Sequence, residues 1–268
     1  MKKVILKSML FTGLIFMTLC CSIPAWAEDD TVDVSADVSV LSRYVWRGYT
    51  LSKTSAVVQP SLTFAYKGLS LNFWGNLDTH VWHFDPDRSR DTEYNETDIT
   101  LSYSWKFNNF IAELGYIYYD LKIIKDTSEV YYSISYDTIL SPSLTIYYDI
   151  NQVEGVYANF AVSHSIPLYN DIALDLSASV GYYAANNLYE FNDNLVETTK
   201  EYSALHDGNI TASVTFPINS KLSVTPSASY SYALSNKSRN HLEGVNGANF
   251  DDIKRGHYYG GITCSYTF

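Results

Sequence analysis

The chain has 268 residues, a formal net charge of −11, 46% hydrophobic residues and 24 tyrosines. Such acidity argues against nucleic acid as a partner. Three cysteines, two of them adjacent near the start, give no basis for a disulfide framework.

Lys2, Lys3 and Lys7 precede an apolar run from Met9 to Cys21, and Ala25 and Ala27 supply small residues before a cut after Ala27. This is the pattern of a secretory signal peptide over 1–27. Its apolar part is short for a spanning helix, which needs about 20 residues. Cleavage would remove three lysines and no acid, moving the charge from −11 to −14 and leaving Cys264 as the single cysteine. No long apolar run follows, so no transmembrane helix is expected. One membrane architecture has a sequence that looks polar: the barrel whose strands alternate apolar-out with polar-in.

Over 28–268 that alternation recurs twelve times. A first strand is expected over about 32–47, with Val34, Val38, Tyr44 and Trp46 on the apolar face and Asp33, Asp37, Arg43 and Arg47 opposite. Strands follow at about 56–66, 69–79, 95–105, 110–120, 128–138, 142–150, 155–166, 171–183, 207–217, 221–233 and 256–268. Between the second and third, Lys67-Gly68 reads as a two-residue hairpin. The residues flanking such a turn share a face, so the apolar parity must switch there, as it does from Phe64 and Tyr66 to Leu69 and Leu71. Pro60 and Pro226 fall inside strands, where a ladder donor is lost, and mark candidate bulges. Links alternate short and long, the long ones over about 80–94, 184–206 and 234–255. Short turns on one side and long loops on the other, with both termini on the short side, describe an outer-membrane barrel.

Aromatics are expected in two girdles. Tyr66, Tyr103, Trp105, Phe110, Tyr136, Phe216, Tyr266 and Phe268 gather at the inner rim; Trp46, Tyr118, Tyr148, Tyr182 and Tyr232 gather at the outer one. A soluble β-sandwich would also bury aromatics, but requires neither alternating link lengths nor a terminal aromatic strand. The fold expected is therefore all-β: a transmembrane up-and-down antiparallel barrel of about twelve strands, residues 28–268, in the bacterial outer membrane after secretion to the periplasm.

Two stretches carry family likenesses. Ile262, Cys264, Tyr266 and Phe268 resemble the C-terminal signal of bacterial outer-membrane proteins, which implies recognition by the barrel-assembly machinery. Residues 42–52, Ser-Arg-Tyr-Val-Trp-Arg-Gly-Tyr-Thr-Leu-Ser, resemble the opening of the TorF-type porins, as do Ala56-Val57-Val58-Gln59-Pro60 and Trp74-Gly75-Asn76-Leu77-Asp78. The likeness is good over about 35–80 and implies a pore without naming a solute.

A porin acts through its lumen, where charged rings set selectivity. The expected pore-lining set is Arg43, Arg47, Asn72, Asn76, Asp78, Asp98, Glu113, Asp149, Asn159 and Asp175. The function this implies is passive diffusion of small polar or ionic solutes. Its partners are outer-membrane lipid, lipopolysaccharide and the solutes themselves, with a homo-oligomer open. Two other readings stand beside it. The inward charges could pair and plug a narrow barrel, leaving a closed receptor, adhesin or structural element that works through its long loops. A lipid-acting enzyme is disfavoured: His164 and Ser165 are adjacent on one strand and must point oppositely. His80, His83, Asp85, Asp87 and Asp91 read as a solvated acidic loop, so no catalytic residue, metal or cofactor is expected.

Overall fold

A computed structural model describes residues 31–52, 55–81, 91–122, 124–169, 171–246 and 256–268. Its elements in chain order are β1 (Asp33–Leu41), β2 (Val45–Trp46), β3 (Tyr49–Thr50), β4 (Val57–Tyr66), β5 (Leu69–Asp78), β6 (Glu93–Phe107), β7 (Phe110–Leu121) and β8 (Thr127–Tyr136). There follow β9 (Ser143–Asp149), β10 (Gly155–Pro167), β11 (Ala173–Phe191), β12 (Glu197–Pro217), β13 (Leu222–Ala233), α1 (Asn236–Asn246) and β14 (His257–Thr267). Twelve strands close into one antiparallel barrel, neighbour to neighbour, with β1 joining β14 on one side and β4 on the other. β2 and β3 form a separate two-stranded sheet.

The turn chemistry explains the closure at the inner end. Lys67 and Gly68 both take positive φ (48° and 88°), and Tyr66 pairs with Leu69 across them. This is the mirror-image turn whose twist matches that of the flanking strands. In the next turn Asn108 alone takes a positive φ (52°), and Phe107 comes opposite Phe110. The terminus is tied in: the Phe268 amide donates to Val34 O at 3.0 Å, and that of Thr267 to Lys221 O at 2.9 Å.

Apolar residues of the alternating pattern face outward. Val38, Leu101, Leu114, Phe160, Ile210 and Ile262 are each exposed by 45–56%. A water-soluble protein rarely leaves so continuous an apolar surface uncovered. Aromatics cluster on the same outer face near the inner end, where Tyr103 stacks on Trp105 at 6.2 Å, Phe110 meets Tyr136 at 4.7 Å and Tyr266 meets Phe268 at 5.0 Å. The outward girdle residues Tyr118, Tyr148 and Tyr182 sit near the other end.

Three expectations need correction. β1 ends at Leu41, not at 47, because residues 42–52 leave the wall and fold inward. The link expected over 184–206 is mostly strand, since β11 and β12 continue as a long hairpin and turn only over 192–196. Pro60 and Pro226 pair in register with Val38 and Ile262. The irregularities lie elsewhere: Asn95 is extra between the Asn76–Glu96 and Leu77–Tyr94 pairs, and His206 with Asp207 stand opposite Gly181 alone. The link after β13 is long, as expected, and contains α1, which packs against β11, β12, β13 and β3.

Candidate functional site

The inward hairpin is built by its own sequence. Arg47 and Gly48 both have positive φ (47° and 79°), so Trp46-Arg47-Gly48-Tyr49 forms a tight mirror-image turn between β2 and β3. Its base is pinned locally: the Leu51 amide donates to Tyr44 O at 2.8 Å, and the Tyr44 amide donates to Ser52 Oγ at 2.8 Å. Tyr44 then packs edge-on against Trp74 of the wall, centroids 5.7 Å apart.

The tip carries Arg47 into the barrel near its outer mouth, level with residues two from the outer ends of β7–β10, and there it is 5% exposed. Its two terminal nitrogens donate to Glu129 Oε1 and Oε2, each at 2.7 Å. Tyr119 donates to Glu129 Oε2 at 2.9 Å. The guanidinium carbon lies 4.4, 4.5 and 4.3 Å from the ring centres of Trp46, Tyr147 and Tyr157. A planar cation is thus met by a forked carboxylate and surrounded by three aromatic rings, a setting that suits arginine over lysine. Arg47 Nε has no hydrogen-bond partner.

Sequence periodicity hid the rings that make this seat. Inward tyrosines follow one another around the wall: Tyr119 on β7, Tyr131 on β8, Tyr147 on β9, Tyr157 on β10, Tyr183 on β11 and Tyr202 on β12, all 6% exposed or less. The sequence does carry a signal for them. Five Tyr-Tyr doublets occur, at 118–119, 131–132, 147–148, 182–183 and 258–259. Consecutive strand residues face opposite ways, so each doublet sends one ring out and one in. Tyr118 is 36% exposed and Tyr119 4%; Tyr182 is 41% exposed and Tyr183 5%.

The bulge on β12 adds a second feature. It turns both His206 and Asp207 inward, and Tyr157 donates to Asp207 Oδ1 at 2.9 Å. Tyr202 and His206 Nδ1 lie 2.6 Å apart, while His206 Nε2 has no partner. α1 closes the outer side: its His241 Nδ1 meets Tyr189 O at 3.1 Å, and its Nε2 meets the Tyr49 hydroxyl at 2.9 Å. Because a carbonyl only accepts, Nδ1 carries the proton and Tyr49 donates to Nε2. Burial pushes the His241 pKa down to about 4, its hydrogen bond to Tyr189 O opposing the shift.

The expected pore-lining residues distribute as follows. Asn72, Asn76, Asp78, Asp98, Glu113, Asp149 and Asn159 all face the interior and are buried. Many are engaged with the wall: Asn72 donates to Ser61 and Thr63, Glu113 accepts from Ser104 and Tyr131, and Asp149 accepts from Thr127 and from the amides of residues 151–153. Asp98 Oδ1 has no partner. Asp175 is partly exposed nearer the inner end. Arg43 and Arg47 do not share a strand face, because both follow the end of β1; Arg43 meets His257 Nδ1 at 2.9 Å while Arg47 pairs with Glu129 of β8. Trp46 is likewise in the interior, against Arg47 and Tyr119, and not on the outward face with the girdle residues.

Charge in the interior is lopsided. Among the described residues, the buried carboxylates are Asp78, Glu96, Asp98, Glu113, Glu129, Asp149 and Asp207, against Arg47 as the one buried Lys or Arg. Nearer the inner end, the inward residues Ser35, Asp37, Ser133, Thr145 and Ser177 remain partly exposed, so water enters from that side. Beside Arg47, Asp207, Asn159 and Asn209 a gap measures ≈ 20 Å³, room for about one water molecule. Beyond the hairpin tip a cleft of ≈ 480 Å³ lies against Gly48, Leu242, Arg239 and His257. Of the expected loop cluster, His83, Asp85 and Asp87 lie outside the described residues. His164 and Ser165 point to opposite faces, and His164 Nδ1 meets Ile139 O at 2.7 Å.

The class this fold defines is the closed, up-and-down antiparallel β-barrel of twelve strands. No protein-family model matches the chain, and no curated protein sequence does. Among solved structures, the NanC porin matches over 87% of this chain and 100% of its own, at 11% identity and a TM-score of 0.56. That likeness is one of fold. Weaker similarity extends to an outer-membrane channel of Pseudomonas putida F1 (7% identity, 91% and 98% of the two chains, TM-score 0.46) and to LpxR from Salmonella typhimurium (9%, 87% and 100%, 0.48).

Proposed function

We propose that the protein is an outer-membrane channel for small polar or ionic solutes, with the hairpin over 42–52 as its constriction. The observation that carries this reading is Arg47, held inside the outer mouth of a polar lumen by a chain segment that is not part of the wall. The outward apolar surface with its aromatic girdles supports a lipid environment, and the resemblance of 42–52 to TorF-type porins supports a pore. The excess of buried acids favours cations. The outward face of β14, with Ile262, Cys264, Tyr266 and Phe268 exposed, is the surface we assign to the assembly machinery.

The test is single-channel conductance and reversal potential of the refolded protein in a planar bilayer, with Arg43→Ala and Arg47→Ala alongside. Open steps that favour cations, and whose selectivity changes more in Arg47→Ala than in Arg43→Ala, support the reading. A folded barrel silent in all three forms sinks it. A second reading is favoured by the tight packing of the hairpin: a closed barrel that works through its outer loops. In that case removing the outer part of the β11–β12 hairpin would abolish a surface interaction in an electrically silent protein.

A further inference from the structure

The partners of Arg47 belong almost entirely to the wall. Glu129 stands on β8, Tyr119 on β7, Tyr147 on β9 and Tyr157 on β10; of the close partners only Trp46 travels with the hairpin. A seat made by the wall persists when the hairpin leaves it. We propose that this seat is a binding site for a solute bearing a guanidinium or a similar organic cation, and that Arg47 occupies it as a tethered stand-in. The inference deepens the channel reading by naming a solute class, and rests on that reading only for transport, since binding is a property of the wall.

Three observations argue for a receptor beyond a plain anchor. The recognition is specific in shape: a forked carboxylate, its Oε2 also accepting from Tyr119, and two adjacent wall tyrosine rings within 4.5 Å of the guanidinium carbon. A second carboxylate, Asp207, is turned to the same place by the β12 bulge and held by Tyr157, although Glu129 already satisfies the charge of Arg47. Arg47 also leaves its Nε unpartnered, so the tethered group does not use all that a guanidinium offers, and the ≈ 20 Å³ gap lies beside it. A solute entering from the water-accessible inner half would displace the tip, coupling occupancy to the constriction.

The experiment uses methylguanidinium and its neutral isostere methylurea. Wild type, Arg47→Ala, Arg47→Lys and the double variant Arg47→Ala/Glu129→Gln are refolded in detergent and checked for heat-modifiable mobility. Binding is read by calorimetry and by Trp46 fluorescence. Removing the tethered competitor should tighten methylguanidinium binding at least about tenfold, since a tethered group competes at an effective concentration in the mM range or above. Arg47→Lys, which keeps a cation but not the fork, should show a smaller gain, so the idea stays testable if Arg47→Ala does not fold. The double variant should lose the gain, and methylurea should bind none of the four. Equal response to both probes, or no binding in a folded Arg47→Ala or Arg47→Lys, means that the seat is only an anchor. Bilayer conductance is recorded separately. Binding in a silent barrel would retain the site and remove the channel; conductance without binding would do the reverse.

Discussion

Inside the barrel mouth, Arg47 has exchanged its water for one carboxylate and three aromatic rings. Removing one partner strands the other charge in a poorly hydrated place, a loss of about 3–5 kcal/mol for buried pairs. Glu129→Gln and Arg47→Ala should therefore each lower the urea midpoint of the refolded barrel clearly. The double replacement should be less harmful than the sum of the two, and a strictly additive cycle would refute the coupling. Gly48 is the neighbouring constraint. Its φ is 79°, and an added Cβ would lie 3.0 Å from Asp207 Cβ and 3.2 Å from Leu242 Cδ1. Gly48→Ala combines backbone strain with that crowding and should destabilise hairpin docking by about 1 kcal/mol or more. Its expected signature is faster exchange of the Leu51 amide, which donates to Tyr44 O.

On the scale of elements, the barrel mouth is closed by the β2–β3 hairpin and α1, which touch through Tyr49 and His241. His241 is buried with its pKa lowered to about 4, against an ordinary value of 6.5. The docked helix thus binds fewer protons than the undocked one between those values, so docking is strongest above pH 6.5 and weakens as pH falls toward 4. The span corresponds to at most about 3 kcal/mol. Limited proteolysis within 236–246 should accelerate between pH 7 and 4.5 in the wild type and depend less on pH in His241→Gln; identical profiles would remove His241 from the linkage. The long β11–β12 hairpin behaves differently. Its outer end is held by exposed pairs, Lys200 and Lys237 on Glu190, which contribute little in water. Shortening it around 192–196 should leave the melting temperature of the barrel unchanged within a few degrees.

On the scale of the whole molecule, the governing feature is an interior that, among the described residues, is rich in acids with one buried guanidinium. Neutralising the inward acid Asp98, whose Oδ1 has no partner, should reduce cation preference in reversal-potential measurements with less loss of stability than Glu129→Gln. An unchanged reversal potential would exclude Asp98 from the conduction path. The closed wall also means that no strand edge is left among the twelve, so stability is shared around the ring and the lumen contents can vary without opening it.

How much of this was legible in the sequence follows from the reach of each signal. Side chains alternate along a strand, so composition and parity alone determined twelve strands, their outward faces, the Lys67-Gly68 turn and the inward placement of Asn72, Asn76, Asp78, Asp98, Glu113, Asp149 and Asn159. The same alternation continues through Tyr44 and Trp46, and period two cannot distinguish a strand in the wall from a hairpin folded inside it. Only the tertiary structure decided that residues 42–52 leave the wall, because the deciding contacts are remote: Glu129 lies 82 residues beyond Arg47 and His241 lies 192 beyond Tyr49. The β12 bulge escaped for a related reason. One additional residue shifts facing locally, and His206-Asp207 is recognisable as that addition only against Gly181 on the partner strand.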